Sequence, residues 1–516
     1  VALVPEAAGA SATATLCVGP AAGCSATLST ALAHAHDGDT VRVGPGRYAG
    51  GVTIDKSIRL VGAGARRTVI RGGGPVITIG RAKDPTGLRV SVIGMTVSGG
   101  VATGNGFESR GGGIDIAPSP KFGLGATVTV RDVVVAGNEA TATRTADSPS
   151  GVKCPKGFCP YARARGGGIA NSGRLTVIDS QVRGNRVDGP LSDANGGGIF
   201  SQFGSLRVIF SVVSGNRAAP TGIGRFAEGG AIFVDSGALT VHGTRVAGNH
   251  AELITSWPIN GQGTLIDMNA NSGGVHIGDG TNAVVTDTVI TGNVAAAVDP
   301  VGEPLAFDGA LCVCGDSTLR MNNTSVDHNR VYAQPATVED VGASGSTLEL
   351  DGPGTITNSR ITDNTAVVHT ADRQSAATNA LAVYDFFDNP RQVTVSDTVI
   401  RGNRAVATSD RGTAVAYGAG VLNNSLLTMR RVVIDGNHAR AASPTSPTAQ
   451  GGGIWNGPYL SGPPVRLALE HSTVTGNSVS AGPGVATQGG GVYTTVAITR
   501  QHTTIVGNHP DNCFGC

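Results

Sequence analysis

The sequence predicts an all-β fold: a single right-handed parallel β-helix of roughly a dozen three-strand coils, with a short N-terminal capping helix. The first observation is a repeated V-x-G-N motif, or a near variant, that ends at an asparagine every 31 to 47 residues. These asparagines are Asn138, Asn185, Asn216, Asn249, Asn293, Asn329, Asn364, Asn403, Asn437, Asn477 and Asn508. The second is a GGGI-like motif before most of them, and the third is the period-two alternation of the segments between, such as RLTVIDS.

Each repeat therefore contains three short strands, GGGIxx, xLTVxxS and xVxGN. Equivalent strands of successive coils would stack about 4.8 Å apart, and their inward Ile, Leu and Val would form apolar ladders. We expect the repeated asparagine at a corner, where its amide pairs with the coils above and below and where its tolerance of a left-handed backbone explains its column. Six residues earlier, a second Asx corner is predicted at Asp132, Asp179, Asp287, Asn323, Asn358 and Asp397.

The two ends of the chain differ from the repeats. Residues 26–38, ATLSTALAHAHDG, are the one amphipathic helical candidate, and such a helix would cover the open edge of the first coil. The final HPDNCFGC would close a small loop beyond the last coil. The predicted organisation is an N-terminal segment with its capping helix over 1–40, the β-helix over 41–512 and a C-terminal disulfide loop over 513–516.

Cysteine usage predicts a secreted, extracellular protein. The eight cysteines fall in four close pairs: Cys17/Cys24, Cys154/Cys159, Cys312/Cys314 and Cys513/Cys516. Local pairing is expected for the first, second and fourth, and close pairs are typical of oxidising compartments. The opening ALVPEAAGASATA is similar to the remnant of a processed signal segment.

Charge and hydropathy restrict the partners. The net charge is +1, with 38 basic and 37 acidic residues, which argues against nucleic acid as a partner and against an anionic membrane surface. The sequence contains no apolar run long enough to span a bilayer. A polysaccharide substrate is compatible with this surface, and the sequence leaves the oligomeric state open.

The repeats carry a resemblance to known proteins. Over residues 26–512 the chain resembles secreted bacterial β-helix proteins of the pectate-lyase-like superfamily. Its units are also similar to the repeats of polymorphic outer-membrane adhesins, with GGAIFV present at residues 229–234. The resemblance implies the fold and glycan binding on the GGGI strand face. The Asn-Thr-Asp, Asp-Asp, Gly-His-Gly and Arg-Ile-Lys motifs of polygalacturonases are absent, which argues against that chemistry.

Insertions indicate that the GGGI strand is the floor of a groove. Long variable segments precede it at 139–165, 250–271, 365–378 and 438–450, and a second set follows it. If the isoleucine points inward, the next residue points outward. This outward column is Asp115, Ala170, Phe200, Phe233, His276, Cys312, Glu349, Ala382, Leu422, Trp455 and Tyr493.

The aromatic residues of the outward column have two interpretations. Aromatic residues are 4% of the chain but occupy four of these positions. Either strands favour aromatics and loops cover them, or the rings form a sugar-stacking platform; an oligomer contact is a third alternative. The predicted substrate-binding residues are Phe200, Phe233, Tyr384, Trp455, Tyr493, Asn271 and Arg165.

The pair Cys312 and Cys314 lies on this same face. Residues i and i+2 of a regular strand are roughly 6.5–7 Å apart, at the limit for a disulfide. A strained disulfide, a metal site completed by His276, and separate or reactive thiols all remain open.

Polar residues of the middle coils are the catalytic candidates. They are His276, Asp308, Glu349, Glu228 and Asp385, with His276 as the principal one. Carboxylates about 5 Å apart suit retaining glycoside cleavage, and roughly 6.5–9.5 Å suits inversion. A lyase would need a base, such as His276 or Tyr384, and a neutralising group, which could be Arg110, Arg165 or Ca²⁺ held by Asp.

The leading hypothesis is a secreted carbohydrate-active enzyme that cleaves a polysaccharide along the groove by hydrolysis or transfer with paired carboxylates. The alternatives are a polysaccharide lyase and a non-catalytic glycan-binding or adhesin protein. No cofactor and no metal site is firmly implied, and Ca²⁺ is a candidate only.

Overall fold

A computed structural model describes residues 13–80, 87–104, 108–119, 124–142, 162–189, 192–221, 226–254, 267–299, 303–335, 346–371, 375–378, 380–384, 391–458, 464–482 and 487–516. These residues form a parallel β-helix, as the sequence predicts. Each strand pairs in parallel with the equivalent strand of the next coil, so the coils stack into long sheets. Crossovers between parallel strands are right-handed almost without exception, which agrees with the predicted winding.

Three sheets run along nearly the whole solenoid and correspond to the three predicted strands. Sheet 1 contains Thr15–Val18, Thr40–Val43, Arg59–Gly62, Arg89–Ile93, Thr127–Arg131, Arg174–Ile178, Gly204–Ile209, Gly237–His242, Asn282–Thr286, Thr318–Asn322, Gly354–Thr357, Gln392–Ser396, Leu426–Arg430, Arg466–Glu470 and Ile498–Gln501. Sheet 2 contains Gly46–Ala49, Thr68–Arg71, Thr96–Ser98, Val134–Ala136, Gln181–Arg183, Val212–Ser214, Arg245–Ala247, Val289–Thr291, Ser325–Asp327, Arg360–Thr362, Val399–Arg401, Val433–Asp435, Thr473–Thr475 and Thr504–Val506. Sheet 3, which holds the GGGI strands, contains Val52–Ile54, Ile77–Ile79, Ile114–Ile116, Ile169–Asn171, Ile199–Ser201, Ile232–Val234, Val275–Ile277, Leu311–Val313, Leu348–Leu350, Leu381–Val383, Val421–Asn423, Ile454–Asn456, Val492–Thr494 and Cys513–Phe514.

The middle coils add strands that the sequence analysis assigned to variable loops. Sheet 4 follows the asparagine corner and contains Val101–Gly104, Glu139–Ala142, Arg186–Asp188, Arg217–Ala218, His250–Ile254, Val294–Asp299, Arg330–Pro335, Thr365–Thr370, Arg404–Ser409, His438–Ala442 and Ser478–Ala481. The strands of two shorter sheets lead the chain back to the glycine motif. Sheet 5 contains Glu108–Arg110, Ala162–Arg165, Ser192–Asn195, Phe226–Glu228, Asp267–Asn271 and Glu303–Phe307, and sheet 6 contains Ser375–Thr378, Ala414–Tyr417 and Thr448–Gln450.

These added strands form an arm beside the main solenoid. Buried alanines of sheet 4, such as Ala251 and Ala297, cluster with alanines of sheet 5, such as Ala227 and Ala270. Small side chains let the outgoing and returning strands approach closely, so the arm has its own thin core. Alanine has low strand propensity, and this is why the sequence pattern did not identify these strands.

The main core is a set of apolar ladders inside sheets 1, 2 and 3. Its Ile, Leu and Val side chains are almost fully buried, for example Ile169 and Ile199 of sheet 3. The predicted capping helix is Leu28–His34, and Leu28 and Leu32 pack against this core. Thr27 caps the helix: its Oγ1 accepts a hydrogen bond of 3.2 Å from the Thr30 N–H.

The outermost strands lie within both segments that the sequence predicts as ends. Thr15–Val18 pairs with Thr40–Val43 at the first edge of sheet 1, and Cys513–Phe514 pairs with Val492–Thr494 at the last edge of sheet 3. Disulfides Cys17–Cys24 and Cys513–Cys516 confirm the predicted local pairing and close loops at these edges. Cys154 and Cys159 lie outside the described residues.

The repeated asparagines form a buried hydrogen-bonded ladder along the solenoid. From Asn138 to Asn508, each Nδ2 donates to Oδ1 of the asparagine in the next coil at 2.8–3.0 Å. The pairing between coils is as predicted, but the explanation by a left-handed backbone is wrong. The left-handed residue is the one before the asparagine, for example Gly184 with φ of 59° or His328 with φ of 56°. The second predicted corner is confirmed, since its Asp and Asn residues have φ of 48–54°.

The asparagine ladder should contribute measurably to the free energy of unfolding. Asn293 Oδ1 accepts bonds from the N–H and Nδ2 of Asn249, and Asn293 Nδ2 donates to the Val246 carbonyl and to Asn329 Oδ1. Asn293→Ala removes all four of these buried hydrogen bonds, so we expect a loss of about 2–5 kcal/mol in unfolding free energy by urea denaturation. The matched control is Asn282→Ala, an exposed asparagine of sheet 1, expected within about 0.5 kcal/mol of wild type. Equal effects of the two substitutions would contradict the ladder's role.

Candidate functional site

The arm and sheet 3 meet at the glycine corner, where side chains of the two contact each other, and we call this corner region the crease. At this corner the first glycine has a left-handed backbone, with φ of 66° at Gly166 and 70° at Gly196. A Cβ on Gly196 would lie 2.9 Å from Phe200 Cα, four residues further on. The last residue of each returning strand therefore approaches the outward residue of sheet 3. On the arm, this wall of the crease contains Arg110, Arg165, Asn195, Glu228, Asn271 and Phe307.

The outward column of sheet 3 has the predicted register over its whole length. Strand pairing aligns Asp115, Ala170, Phe200, Phe233, His276, Cys312, Glu349, Ala382, Leu422, Trp455 and Tyr493. Its exposure differs from the predicted open platform. Of its aromatic residues, Phe200, Phe233 and Trp455 are more than nine-tenths buried and Tyr493 is half-buried; Tyr384, two residues beyond Ala382, is also more than nine-tenths buried.

Neighbouring rings of this column stack on one another. Phe233 stacks on Phe200 with ring centroids 5.6 Å apart, and on His276 with centroids 4.7 Å apart. Toward the C-terminus, Trp455 stacks on Tyr493 at 6.4 Å. The spacing of parallel strands brings equivalent rings into this contact. Because these rings are largely buried, the column agrees better with the first interpretation, in which strands favour aromatics and other parts of the chain cover them, than with an open sugar-stacking platform.

Two central coils replace the left-handed glycine by a larger residue. Ser272 has φ of 58° and Asp308 has φ of 55°, and both side chains are almost fully buried. Ser272 Oγ lies 3.4 Å from His276 Nδ1. A left-handed backbone costs a non-glycine residue of order 1–3 kcal/mol and tends to persist at functional sites. The crease therefore carries its strained polar residues at its centre.

Glu228 is the carboxyl best suited to proton transfer in this crease. It is half-buried on the arm wall, and Asn195 Nδ2 donates a 2.7 Å hydrogen bond to its Oε2. Asn271 also hydrogen-bonds this carboxyl from the next coil. Burial, with the charge of Asp193 as a second cause, raises the pKa of Glu228 to about 7. A carboxyl with such a pKa can give and take a proton near neutral pH.

A second carboxyl group lies just beyond the sheet 3 strand of the same coil. Asp235 lies two residues beyond Phe233 in the same coil as Glu228, and its charge also contributes to the raised pKa of Glu228. Gln202 Nε2 donates to Asp235 Oδ2 at 2.6 Å, and Arg165 Nη1 donates to Gln202 Oε1 at 3.3 Å. These residues form a hydrogen-bonded line from the arm wall to sheet 3.

Arg165 connects this line to the aromatic stack. Its guanidinium carbon is 4.7 Å from the Phe200 ring centroid, and Nη1 donates to Glu108 Oε1 at 2.8 Å. Burial lowers the pKa of Arg165, although guanidinium stays charged at any working pH. Arg165 thus places a fixed positive charge on the arm wall, in contact with Glu108, Gln202 and the Phe200 ring.

Deeper in the crease, three carboxyl groups form a buried chain. Ser346 Oγ lies 2.8 Å from Asp308 Oδ1 and 2.9 Å from Glu349 Oε2, and Glu349 also hydrogen-bonds Asp351. One hydroxyl has a single proton, so it can donate a hydrogen bond to only one of the two carboxyls and must accept a hydrogen bond from the other, protonated one. Burial raises the pKa of Asp308 well above its usual range, and burial with the charge of Asp308 raises that of Glu349 to about 8.

Burial also shifts the pKa values of Asp351 and His276. Burial, and then the charge of Glu349, raises the pKa of Asp351 to about 9. Burial lowers the pKa of His276 to about 4, so its imidazole is neutral at pH 7. A neutral imidazole with so low a pKa is a weak general base, and its ring is stacked on Phe233. These features do not favour His276 as the principal catalytic residue.

Cys312 and Cys314 form a disulfide with Cα atoms 5.6 Å apart, one of the alternatives that the sequence left open. Cys312 is buried beside His276 and Glu349 in neighbouring coils, whereas Cys314 is half-buried. In the described part of the chain, two groups of three or more His, Cys, Asp and Glu side chains place their ligand atoms within 4.8 Å of one another, and both include Cys312. Neither offers the six or more oxygen ligands that Ca²⁺ prefers, so these residues do not fit the Ca²⁺ candidate.

The predicted site residues fall in two neighbouring parts of the crease. Glu228, Asn271 and Arg165 are half-buried, with Phe200 and Phe233 behind them. His276, Asp308 and Glu349 lie in the next coils and are buried, as is Tyr384, while Trp455 and Tyr493 lie nearer the C-terminus. Asp385 lies outside the described residues.

Sequence reasoning missed Asn195, Gln202, Ser272, Ser346 and Asp351. Two signals were available. Ser272 occupies a column that is glycine in most coils, and Asp351 stands two residues after Glu349, so both carboxyls point to the same side of a strand. Ser346 and Asn195 had no such signal, because their roles depend on contacts with other coils.

Comparisons with known proteins identify no relative that shows a family. No protein-family model matches the chain, and no curated protein matches it. Two solved structures are similar at low identity. The N-terminal fragment of bacteriophage phi29 gene product 12 is 12% identical, with 90% of this chain and 88% of that chain covered and a TM-score of 0.22. The PL6 family alginate lyase AlyGC is 9% identical, with 93% and 98% covered and a TM-score of 0.21. Such scores support no argument, and the fold rests on the sheets described above.

Among the described residues, no helix has the length and hydropathy needed to cross a membrane.

Proposed function

We propose that this protein is a secreted carbohydrate-active enzyme of the pectate-lyase-like superfamily, which cleaves a polysaccharide lying along the crease by hydrolysis or transfer. The observation that carries the proposal is Glu228, a half-buried carboxyl with its pKa raised to about 7, opposite Asp235 in the same coil. Two carboxyl groups on either side of a glycosidic bond, one protonated and one ionised, are the machinery of most glycosidases.

The two carboxyl groups would have different roles. Glu228, held by Asn195 and Asn271, would protonate the leaving oxygen of the glycosidic bond. Asp235 would act from sheet 3, either as the nucleophile or as the base for a water molecule. Arg165 and Gln202 would orient sugar hydroxyls, since both belong to the polar line between the walls.

Asp308 and Glu349 would not contact the substrate in this mechanism. Both are more than nine-tenths buried, and Ser346 lies within hydrogen-bond distance of both carboxyls. Of the sequence candidates, Glu228 would therefore be catalytic, while Asn271 and Arg165 would bind substrate.

Secretion is part of the proposal. Three disulfides occur within the described residues, and such bonds are typical of oxidising compartments.

The direct test incubates the purified protein with plant, algal and bacterial polysaccharides. New reducing ends and the ultraviolet absorbance of unsaturated sugar ends would be followed together. We expect reducing ends without absorbance on at least one neutral or weakly charged glycan. A rise in both signals would instead identify a lyase. Glycan binding with neither signal would identify a binding or adhesin protein and overturn the enzyme proposal.

A further inference from the structure

The disulfide of the middle coils lies among groups that ligate metal ions. Ligand atoms of His276, Cys312 and Cys314 all lie within 4.8 Å of one another. Asp308 and Glu349 form a second such group around the same Cys312. The buried sulfur of Cys312 therefore belongs to both groups. The first group offers nitrogen and sulfur ligands, and the second adds carboxylate oxygens.

The surroundings of this cluster are rich in acidic groups. The charged groups that act most strongly on the three buried carboxyls are other carboxyls: Asp351 acts on Asp308, and Asp279 and Glu349 act on Asp351. Asp351 Oδ1 is buried and has no hydrogen-bond partner, on a side chain only 7% exposed. Buried acidic groups are normally compensated by a cation or by hydrogen bonds. Two cysteines and a histidine next to buried carboxyls therefore indicate a place suited to a metal ion.

We propose that reduction of the Cys312–Cys314 disulfide creates a binding site for one zinc-class divalent ion. Its ligands would be the two sulfurs, a ring nitrogen of His276, and a carboxylate oxygen of Asp308 or Glu349. Two thiolates and an imidazole are a zinc ligand set, and the carboxylate completes four-coordination. This site is independent of the proposed glycan cleavage.

The geometry requires only a small rearrangement. Bond lengths of about 2.3 Å to sulfur and 2.0–2.1 Å to nitrogen place tetrahedral ligand atoms roughly 3.3–3.8 Å apart. The ligand atoms of His276, Cys312 and Cys314 already lie within 4.8 Å of one another, so movements of about 1–2 Å bring these three into range, and an oxygen of Asp308 or Glu349 lies within 4.8 Å of Cys312 Sγ. Cys314 follows the strand Leu311–Val313, and Gly315 next to it, with φ of 63°, has the backbone freedom of glycine.

Reduction of the Cys312–Cys314 disulfide to two thiols requires a two-electron reductant. A phosphine donates two electrons to the S–S bond and takes an oxygen from water as it becomes a phosphine oxide. The two protons from that water go to the two sulfurs, which become thiols. Zinc binding then releases both protons, and the two thiolates neutralise the ion. The half-buried Cys314 is the sulfur that the reductant can reach.

The test uses the full chain treated with a phosphine and titrated with Co²⁺ and Zn²⁺. Reduced wild type should bind Co²⁺ with the absorption of cobalt–thiolate bonds, and untreated protein should not. C312S/C314S should lose that absorption, and His276→Ala should weaken binding about tenfold or more. The matched control C513S/C516S removes another close pair and should bind as wild type does.

A second measurement uses only the wild-type chain, so it does not depend on whether the variants fold. In the reduced wild-type chain, Zn²⁺ should slow alkylation of Cys314 about tenfold or more while leaving the exposed Cys516 unaffected. Equal Co²⁺ uptake by C312S/C314S, or unchanged alkylation of Cys314 in the presence of Zn²⁺, would overturn the proposal.

Discussion

Gly167→Ala should destabilise the solenoid by more than about 3 kcal/mol. Gly167 is the middle glycine of its corner. A Cβ there would lie 2.3 Å from the Arg186 carbonyl oxygen and 2.7 Å from the Gly197 carbonyl oxygen. Both clashes are with backbone, so no side-chain rotation relieves them. The start of the arm strand and the next coil would have to move.

The matched control is Gly184→Ala in the same coil. Gly184 has φ of 59°, and nothing lies within 4 Å of a Cβ built there. This substitution has only the backbone penalty of a left-handed residue, about 1 kcal/mol. Urea denaturation would compare the two variants, and hydrogen exchange over 162–189 would show whether the loss is local, as the one-dimensional energetics of stacked repeats predict. A Gly167 variant no less stable than the Gly184 variant would show that the glycine motif is not required by close packing.

The fold could be predicted because its signals are local and repeated. The alternation of Leu175 and Val177, the left-handed Asp179 and the glycine before Asn185 recur in many coils, so each coil supports the others. The arm was missed because its evidence is weak within any one coil. Segments such as ARAR at Ala162–Arg165 become strands only because Ala164 packs in a core formed by neighbouring coils.

The site was harder to predict than the column that contains it. Strand periodicity alone places Phe233 and Glu349 on the outward side, and pairing confirms that register. Burial depends on how the arm folds back at the glycine corner, which periodicity does not describe. This is why His276 was ranked above Glu228, although the structure buries the first and leaves the second half-buried.

Glu228→Gln should reduce the rate of polysaccharide cleavage by about 10²–10⁴-fold, the usual contribution of a positioned general acid. The substituted amide keeps the shape of the side chain and an oxygen that can accept from Asn195 Nδ2. What it loses is the transferable proton. Because Glu228 must be protonated to act as the acid, wild-type activity should fall as the pH rises through about 7, and the residual activity of the variant should lack this limb. Glu139→Gln on sheet 4, away from the crease, is the matched control and should retain full activity.

Glu228→Gln should lower activity without lowering stability at pH 8. This difference separates a catalytic role of Glu228 from a structural one. The folded-state pKa of Glu228 is raised above the ordinary value, so its contribution to stability is complete below that ordinary value and is lost as the pH rises through about 7. Glutamine cannot ionise, so thermal unfolding should show the variant to be at least as stable as wild type at pH 8, with any advantage decreasing at pH 4. If the variant is inactive but also less stable at pH 8, its lost activity reflects damage to the fold. A stable variant that cleaves at the wild-type rate would exclude Glu228 as the acid, because no protonated side chain would remain at that position.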